Sequence, residues 1–439
     1  MFGRVEMKRI FVCIGTFLAA LVVLWAVLFA ASCIPNELIY DNMYSSSIYY
    51  SNKEAFVYDG AMRHTADNYA DSILLNVAWN MNSDAPFVSC LDTKYYDGED
   101  YGENWGLYCA ITDKNEPNTD YTRYWHGMTL FVRSFMLFTS VNGIKTIGMV
   151  TAFVLLGLNC ALLLKKRQFF AAGALALSFI CVHLWNIRLS MEYQPAFLVT
   201  LAVLPFFIIF EHCGDGALSV LAVISGVLIA FFDFLTDETL TILIPLAVVF
   251  IIRKQDEHFG SFRQGFITTV KCGSAWLLAY AGTFLAKWGF ASIVTGEDKF
   301  ATALSSAEIR MIGEAEELSP VQQIFYAPLS NISTLFGGES RLDPLCVLAG
   351  IFLSAAVLGA IFYLFRDKSR FDGGFSLVML IIALLPLVRY LVLNNHSYLH
   401  TFFTYRALAS TILAVFAIVW FTLNFRPQKK KSTKKGRSR

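Results

Sequence analysis

Charged residues are scarce in this sequence of 439 residues. Only 16% of the residues are Asp, Glu, Lys or Arg, whereas 56% are hydrophobic. A soluble globular protein carries about a quarter charged residues. The shortage therefore excludes a soluble enzyme and predicts an all-α polytopic membrane protein, organised as a single integral membrane domain.

Common catalytic and nucleotide-binding motifs are also absent. The sequence holds no P-loop, no Rossmann glycine pattern, no GxSxG and no HExxH. The one basic run is a terminal tail without interleaved aromatic residues, so nucleic acid is not an expected partner. These absences exclude the common classes of nucleotide-dependent enzyme. Membrane lipids are the expected partners of such an apolar chain.

The nine cysteines show neither CxxC nor Cys/His metal spacing. Most of them fall inside apolar runs, where they are interpreted as small buried hydrophobic residues. Cys90 and Cys109 lie in a long polar segment instead. A disulfide between them is permitted if that segment is extracytoplasmic, but the sequence does not place their Cα atoms within bonding distance.

The apolar runs are about 18 to 25 residues long, which matches a hydrocarbon core of roughly 30 Å. The first run is too long for a cleaved signal peptide and is predicted to be a retained span. About ten transmembrane helices are predicted, at residues 10–33, 143–164, 169–187, 196–212, 217–234, 239–252, 266–290, 343–364, 374–392 and 406–425.

Basic residues indicate the orientation of these spans, because positively charged loops stay cytoplasmic. The loops 165–167, 253–263 and 366–370 and the tail 426–439 all fall on one side, and only 211–216 lacks the expected charge. Both termini are therefore predicted to be cytoplasmic, with the tail against anionic lipid head groups. The extracytoplasmic segments are then the first loop 34–140, the second loop 291–341, and the turns 187–195, 233–238 and 394–405.

The stretch from Arg63 to Asn76 is the most informative part of the first loop. Asp67 and Asp71 are four residues apart, so they share one face of a helix, and apolar residues occupy another side. This pattern predicts a helix along the membrane surface with its carboxylates towards a cavity. A solvated acidic helix face is the alternative interpretation.

Three acidic residues, Asp233, Asp237 and Glu238, lie in a very short turn between two apolar runs. Charges at the membrane edge are costly, roughly 2.5 to 3.5 kcal/mol each on insertion scales, and are candidates for function. Helix capping explains Asp237 and Glu238 equally well. Asp233 stands among phenylalanines, which favours substrate binding.

Two arginines, Arg389 and Arg406, bracket an outer segment that contains His396 and His400. The planar guanidinium binds two phosphate oxygens at once and stays charged, so this arrangement predicts a phosphate site. General snorkelling to lipid phosphates is the alternative.

A second amphipathic segment begins with Arg123 and His126, which are further candidates for substrate binding; membrane-interface residues are the alternative. In the turn after the third predicted span, Arg188 and Glu192 are interpreted as an ion pair.

The order of these features resembles the membrane-embedded C-type glycosyltransferases of the GT-C fold. The resemblance implies two membrane-parallel helices in the first loop, at about 60–81 and 122–139. It also implies a sugar donor carried on a polyprenyl phosphate and a first-loop carboxylate as general base. The matching residue is Asp67, with Asp71 nearby and Asp41 as the rival. The family's Asp-Glu pair after the first span is replaced by Asp41-Asn42 and Asp67-Asn68.

The resulting hypothesis is transfer of a sugar to an extracytoplasmic glycan, lipid or protein acceptor at the cell envelope. Asp67 takes the acceptor proton, Arg389 and Arg406 hold the donor phosphate, and Asp233 or His396 orients the acceptor. A divalent cation is a candidate cofactor because hard oxygen ligands are available.

Two other functions remain open. The loop 291–341 fits a surface-polysaccharide polymerase. A flippase or transporter of lipid-linked glycans would bury charges within its spans and interrupt its helices.

Overall fold

A computed structural model describes residues 2–312, 318–364 and 372–423. Within these residues the fold is helical apart from two small antiparallel sheets, each of two strands. The first loop contains the four strands of these two sheets and several short helices. Up to residue 135 the elements are α1 (Phe2–Ser32), α2 (Asn36–Ser51), β1 (Phe56–Asp59), β2 (Ala61–Asp67), α3 (Asn68–Trp79), α4 (Pro86–Ser89), β3 (Lys94–Tyr95), α5 (Gly102–Thr112), β4 (Thr119–Asp120) and α6 (Met128–Phe135).

The remaining elements are all helices. They are α7 (Val141–Lys165), α8 (Phe169–Cys181), α9 (Pro195–Ile209), α10 (Asp215–Phe232), α11 (Leu240–Gln255), α12 (Phe262–Thr295), α13 (Lys299–Ile312), α14 (Pro320–Leu335), α15 (Pro344–Leu364), α16 (Gly373–Val392), α17 (Asn394–Leu399), α18 (Thr401–Thr404) and α19 (Leu408–Leu423). Short 3₁₀ turns occur at Glu99–Tyr101, Leu184–Leu189 and Tyr405–Ala407.

Six helical segments within the described residues are long and apolar enough to cross a membrane, as a multi-pass membrane protein requires. They are Met7–Ser32, Val141–Lys165, Asp215–Phe232, Phe262–Thr295, Gly373–Val392 and Thr401–Phe421. Each coincides with a predicted span.

The other four predicted spans coincide with α8, α9, α11 and α15. Helices α8 and α9 have only 13 and 15 residues, about 20 Å at 1.5 Å per residue. Helix α8 ends early because His183 has a left-handed φ of 58° and the chain continues as a 3₁₀ turn. Helix α11 is enclosed by other helices, with an unbroken run of buried residues from Leu240 to Ile252.

Polar contacts join the helix ends at one pole of the bundle, here called the basic end and defined by Lys166, Arg253 and Lys254. Lys166 Nζ is 3.0 Å from a carboxylate oxygen of Glu211, and Arg253 Nε donates to the Glu211 carbonyl at 3.1 Å. Lys254 pairs with Asp372 at the start of α16. Predicted cytoplasmic loops therefore meet at one pole; residues 365–371 and the tail from residue 424 lie outside the described residues.

The predicted outer turns 233–238 and 394–405 meet at the opposite pole. This pole is here called the cavity end, because the cavity described below lies there. Arg389 donates to the carbonyl oxygens of Leu235 and Thr236, at 2.6 and 3.0 Å. The His396 Nε2 atom lies 2.9 Å from the Leu235 carbonyl oxygen. The turn 233–238 and the segment 394–405 are thus in direct contact.

The first loop differs from the prediction in two respects. Residues 61–67 form strand β2, which pairs with β1 through a turn at Gly60, whose φ is 75°. Helix α3 begins only at Asn68, because the Asp67 carboxylate accepts the Ala70 N–H at 2.8 Å and caps the helix. The helix predicted from residue 60 is therefore wrong before residue 68, and the one predicted at 122–139 is restricted to α6.

A buried arginine fixes the first loop to the end of α1. Arg133 of α6 is fully buried and donates to the Ala31 carbonyl oxygen at 3.0 Å and to Asn36 Oδ1 at 3.0 Å. It also contacts the carbonyl oxygens of Ile34 and Ala78. A cation at a helix C-terminus satisfies carbonyl groups that have no intrahelical partner. Through this contact α1, α3 and α6 are held in one arrangement.

The two cysteines of the first loop have free thiols. Cys90 is buried and its sulfur accepts a hydrogen bond from the Trp25 indole at 3.3 Å.

Candidate active-site cavity

A cavity of about 450 Å³ lies at the cavity end. Its walls come from the first loop, the turn before α9, the turn after α10, helix α13 and the segment around α17. The lining residues are Phe56, Asp67, Tyr69, Ala70, Ile73, Leu74, Tyr121, Arg123, Tyr124, His126, Glu192, Phe234, Ser306, Ile309, Arg310, Asn395, His396, Leu399, His400 and Phe403. Five predicted site residues are therefore brought together: Asp67, Arg123, His126, His396 and His400.

Asp67 lies at the junction of β2 and α3, and only 3% of its surface is exposed. Burial raises the pKa of its carboxyl to about 7, and the charge of Asp71 adds to this effect. The Ala70 N–H and the Lys145 ammonium act in the opposite direction. A carboxyl with a pKa near 7 is suited to accept a proton at neutral pH.

Glu192 is a second carboxyl in the same cavity, and the sequence interpretation missed its role. Arg188 donates to Thr146 Oγ1 at 3.2 Å, so it is not the expected ion-pair partner of Glu192. Burial raises the pKa of Glu192 well above its ordinary value, and the charges of Asp67 and Asp233 raise it further. The only sequence signal was an acidic residue in a predicted outer turn.

Asp71 does not line the cavity but fixes its walls. It is fully buried, accepts the Ser190 hydroxyl at 2.9 Å and the Met191 N–H at 2.7 Å, and pairs with Lys145 at 2.5 Å. These contacts join the first turn of α3 to the residues immediately before Glu192. Asp71 thereby sets the position of one cavity carboxyl relative to the other.

Two arginines supply the positive charge of the cavity. The Arg123 guanidinium lies 4.2 Å from the centre of the Tyr121 ring, and that of Arg310 lies 5.6 Å from the Tyr124 ring centre. Neither forms an ion pair with a carboxylate among the described residues. Within the described part of the chain both guanidinium groups therefore lack a carboxylate counter-ion, and Arg310 Nη1 donates to the Ser306 carbonyl oxygen at 3.0 Å. Arg310 comes from α13 in the second predicted outer loop and was not among the predicted site residues.

The three cavity histidines are neutral at physiological pH. Burial lowers the pKa of His126 and of His400 to about 3, and lowers that of His396 well below its ordinary value. The Nε2 atom of His126 is 2.7 Å from the Tyr121 carbonyl oxygen, which can only accept, so Nε2 carries the proton. The buried Nδ1 atom of His126 has no partner among the residues that the structure describes and is left as an acceptor.

Close packing of the first loop against the end of α10 fixes the position of His126. The Gly127 N–H donates to the Phe231 carbonyl oxygen at 2.9 Å, and a Cβ at Gly127 would lie 2.5 Å from that oxygen. Only glycine allows the first loop to approach the end of α10 this closely.

Two of the three acids in the turn after α10 are engaged in contacts within the protein. Asp233 accepts the Thr236 N–H at 2.8 Å, and burial raises the pKa of its carboxyl to about 7. Glu238 pairs with Arg389 at 3.0 Å. Asp237 is fully buried, and neither of its carboxylate oxygens has a hydrogen-bond partner in the part of the chain that the structure describes. None of the three acids lines the cavity.

The predicted phosphate ligands lie outside the cavity. Arg389 directs its N–H groups to Glu238, to Ser397 and to two backbone carbonyl oxygens, which holds the two turns together. Arg406 is fully buried, and its guanidinium lies 4.4 Å from the centre of the Tyr193 ring. Asp41 is exposed on α2 and does not line the cavity either.

Among the described residues, no group of three or more His, Cys, Asp or Glu side chains is arranged to hold a metal ion. Comparisons with family models, with curated proteins and with solved structures found no match.

Proposed function

We propose that this protein is a glycosyltransferase that moves a sugar from a polyprenyl-phosphate-linked donor to an acceptor outside the cytoplasm. One observation carries the proposal. One cavity, at the pole where the predicted outer turns meet, contains two carboxyls and two arginines that have no carboxylate partner among the described residues: Asp67, Glu192, Arg123 and Arg310.

Asp67 is the general base of the proposed reaction. Its carboxylate takes the proton from an acceptor hydroxyl while the oxygen of that hydroxyl attacks the anomeric carbon of the donor sugar. The bond between that carbon and the phosphate oxygen breaks, and the bonding electrons leave with the lipid phosphate. Burial raises the pKa of Glu192 well above its ordinary value, and in its protonated form this carboxyl serves as a hydrogen-bond donor beside the base.

Arg123 and Arg310 stabilise the phosphate that leaves. Negative charge on the phosphate oxygens increases as the glycosidic bond breaks, so fixed guanidinium groups bind the transition state more strongly than the ground state. This assignment replaces Arg389, whose N–H groups are already used within the protein.

The aromatic walls suit a sugar ring. Tyr69, Tyr121, Tyr124 and Phe234 line the cavity together with the neutral histidines. Aromatic faces provide apolar contact area for the C–H face of a sugar, and the imidazole nitrogens accept or donate hydrogen bonds to hydroxyl groups. An uncharged sugar on an anionic carrier matches both kinds of lining residue. The aromatic rings and histidines suit the sugar, and the arginines suit the phosphate of the carrier.

The test is transfer by purified full-length protein in liposomes that contain short polyprenyl-phosphate hexoses and pentoses with labelled sugar. Asp67→Asn is expected to reduce release or transfer of the label at least 100-fold. Asp59→Asn, an exposed acid of the same hairpin, is the matched control and should retain full activity. Equal transfer by wild type and Asp67→Asn removes Asp67 from the mechanism, and loss with Asp41→Asn alone moves the base to Asp41.

A surface-polysaccharide polymerase is the second candidate, favoured by the position of Arg310 in the loop 291–341. The same assay separates the two, because a polymerase lengthens one glycan repeatedly whereas a simple transferase adds one sugar. A flippase would move the labelled lipid across the bilayer without cleaving it.

A further inference from the structure

A second group of basic side chains lies at the cavity end, outside the cavity. Arg406 is fully buried, and its Nε, Nη1 and Nη2 atoms all lack a hydrogen-bond acceptor among the described residues. The buried Nε of Arg63 and the buried Nδ1 of His183 likewise have no partner. Five unpartnered nitrogen atoms in one neighbourhood are costly, because each buried polar group without a partner loses about 1 to 3 kcal/mol.

The His183 imidazole lies within electrostatic range of both arginines. The groups that act on it are Arg63, His64 and Arg406, all of them basic residues. The rings of His64 and His183 are 6.4 Å apart. Arg63 is held in place because its Nη1 donates to the Leu335 carbonyl oxygen at 3.2 Å. The guanidinium groups of Arg63 and Arg406 therefore lie where β2, the 3₁₀ turn after α8 and the 3₁₀ turn before α19 meet.

Asp237 is the acid of this neighbourhood, and Arg406 is its largest electrostatic partner. Neither carboxylate oxygen of Asp237 has a hydrogen-bond partner among the described residues. Burial raises the pKa of Asp237 well above its ordinary value, because a buried site disfavours the charged form of a carboxyl. Hydrogen bonds therefore do not join this pair, and an anion from outside the chain would supply the acceptors that the Arg406 guanidinium lacks.

We propose that Arg63, His183 and Arg406 form a second anion site that binds a phosphate group. Phosphate matches the chemistry because several oxygens at fixed angles can accept from a guanidinium fork and from further N–H donors at once. The site is distinct from the cavity, since none of the three side chains lines it. It also stands without the proposed transferase activity.

The surroundings indicate how the phosphate reaches the site. His64 and His183 are half-buried, and Trp185, whose ring centre is 5.1 Å from that of His183, is 43% exposed. A partly exposed tryptophan beside basic groups is typical of the level of lipid head groups. A phospholipid head group and free phosphate share the required chemistry, and the two arms of the test separate them.

The test measures binding to the detergent-purified full chain. One arm titrates inorganic phosphate by calorimetry, and the other counts bound dioleoyl phosphatidic acid by native mass spectrometry. Arg63→Gln and His183→Asn should each weaken binding at least tenfold; both positions are half-buried, so these variants are expected to fold. Arg188→Gln is the matched control, because it removes an exposed arginine from the same 3₁₀ turn.

Saturable binding in the phosphate arm assigns a free phosphate ligand, and binding in the lipid arm alone assigns a phospholipid. The proposal is overturned if neither probe binds saturably, or if Arg188→Gln weakens binding as much as Arg63→Gln. It is also overturned if Arg123→Gln alone abolishes binding, since the anion is then in the cavity. That result would leave the transferase proposal intact.

Discussion

At the scale of single residues, the cavity is defined by the protonation of its side chains. Asp67 has a pKa near 7 because it is buried beside another carboxylate. The neighbouring imidazoles are neutral for the same reason, since burial disfavours the charged form of acids and bases alike. Arg123 and Arg310 keep their charge at any physiological pH. The cavity thus combines a titratable base with permanent cations.

Transfer should depend on pH through Asp67. The base acts only when deprotonated, so the initial rate is expected to rise with pH on a limb with an apparent pKa of about 7, measured between pH 5 and 9. Asp59→Asn should leave this limb unchanged. A rate that is flat between pH 5 and 8 would contradict the assignment.

Stability should change in the opposite direction over the same range. The folded protein holds the Asp67 proton more tightly than the unfolded chain, so ionisation as pH rises from about 4 to 7 lowers the free energy of unfolding. Asp67→Asn cannot titrate and should lose this part of the pH dependence in denaturant unfolding. An unchanged slope in the variant would show that Asp67 is not a buried acid.

The two cavity arginines should affect catalysis more than binding. Arg123→Gln and Arg310→Gln are each expected to lower kcat/KM for the donor by about 10- to 100-fold, with most of the loss in kcat, because charge develops on the leaving phosphate. Steady-state kinetics on the short donors measures this split. Arg188→Gln, which removes an exposed guanidinium, is the control. A loss confined to KM would indicate instead that the arginines bind the ground state and the transition state equally.

At the scale of elements, the cavity walls are fixed by the contacts that attach α3 to the turn before α9. Asp71 and Lys145 form a buried pair, and Asp71 also accepts from the backbone at Met191. The sequence pattern predicted that Asp67 and Asp71 would both point into a site. Their roles differ because Asp67 precedes the helix and caps it, whereas Asp71 lies inside the first turn and faces the bundle.

Breaking the Asp71–Lys145 pair should be costly and non-additive. Asp71→Asn or Lys145→Met alone leaves an unpaired buried group and should lower the free energy of unfolding by about 3 to 5 kcal/mol. The double variant should lose less than the sum of the two, as measured by denaturant unfolding of the full chain in detergent. Additive losses would show that the two side chains are not coupled.

At the scale of the whole molecule, the sequence predicted that the turns 233–238 and 394–405 lie at one pole, where they are in contact, but not which of their side chains meet. Apolar run length also predicted the six helical segments that are long enough to cross a membrane, because the thickness of the bilayer sets that length. The β1–β2 hairpin was missed because strand and helix patterns are not distinguishable over seven residues. Glu192 and Arg310 were missed because only tertiary packing brings them to Asp67.

In the proposed reaction, sugar is transferred at the pole that holds the cavity. Cys33, at the end of α1, and Cys213, beside Glu211 at the basic end, are both exposed and provide natural markers of the two poles. The deciding measurement uses proteoliposomes of mixed orientation, with labelled polyprenyl-phosphate sugar in the outer leaflet and an impermeant maleimide outside. Transfer should be proportional to the fraction of molecules with Cys33 labelled; transfer proportional to labelling of Cys213 would contradict the account.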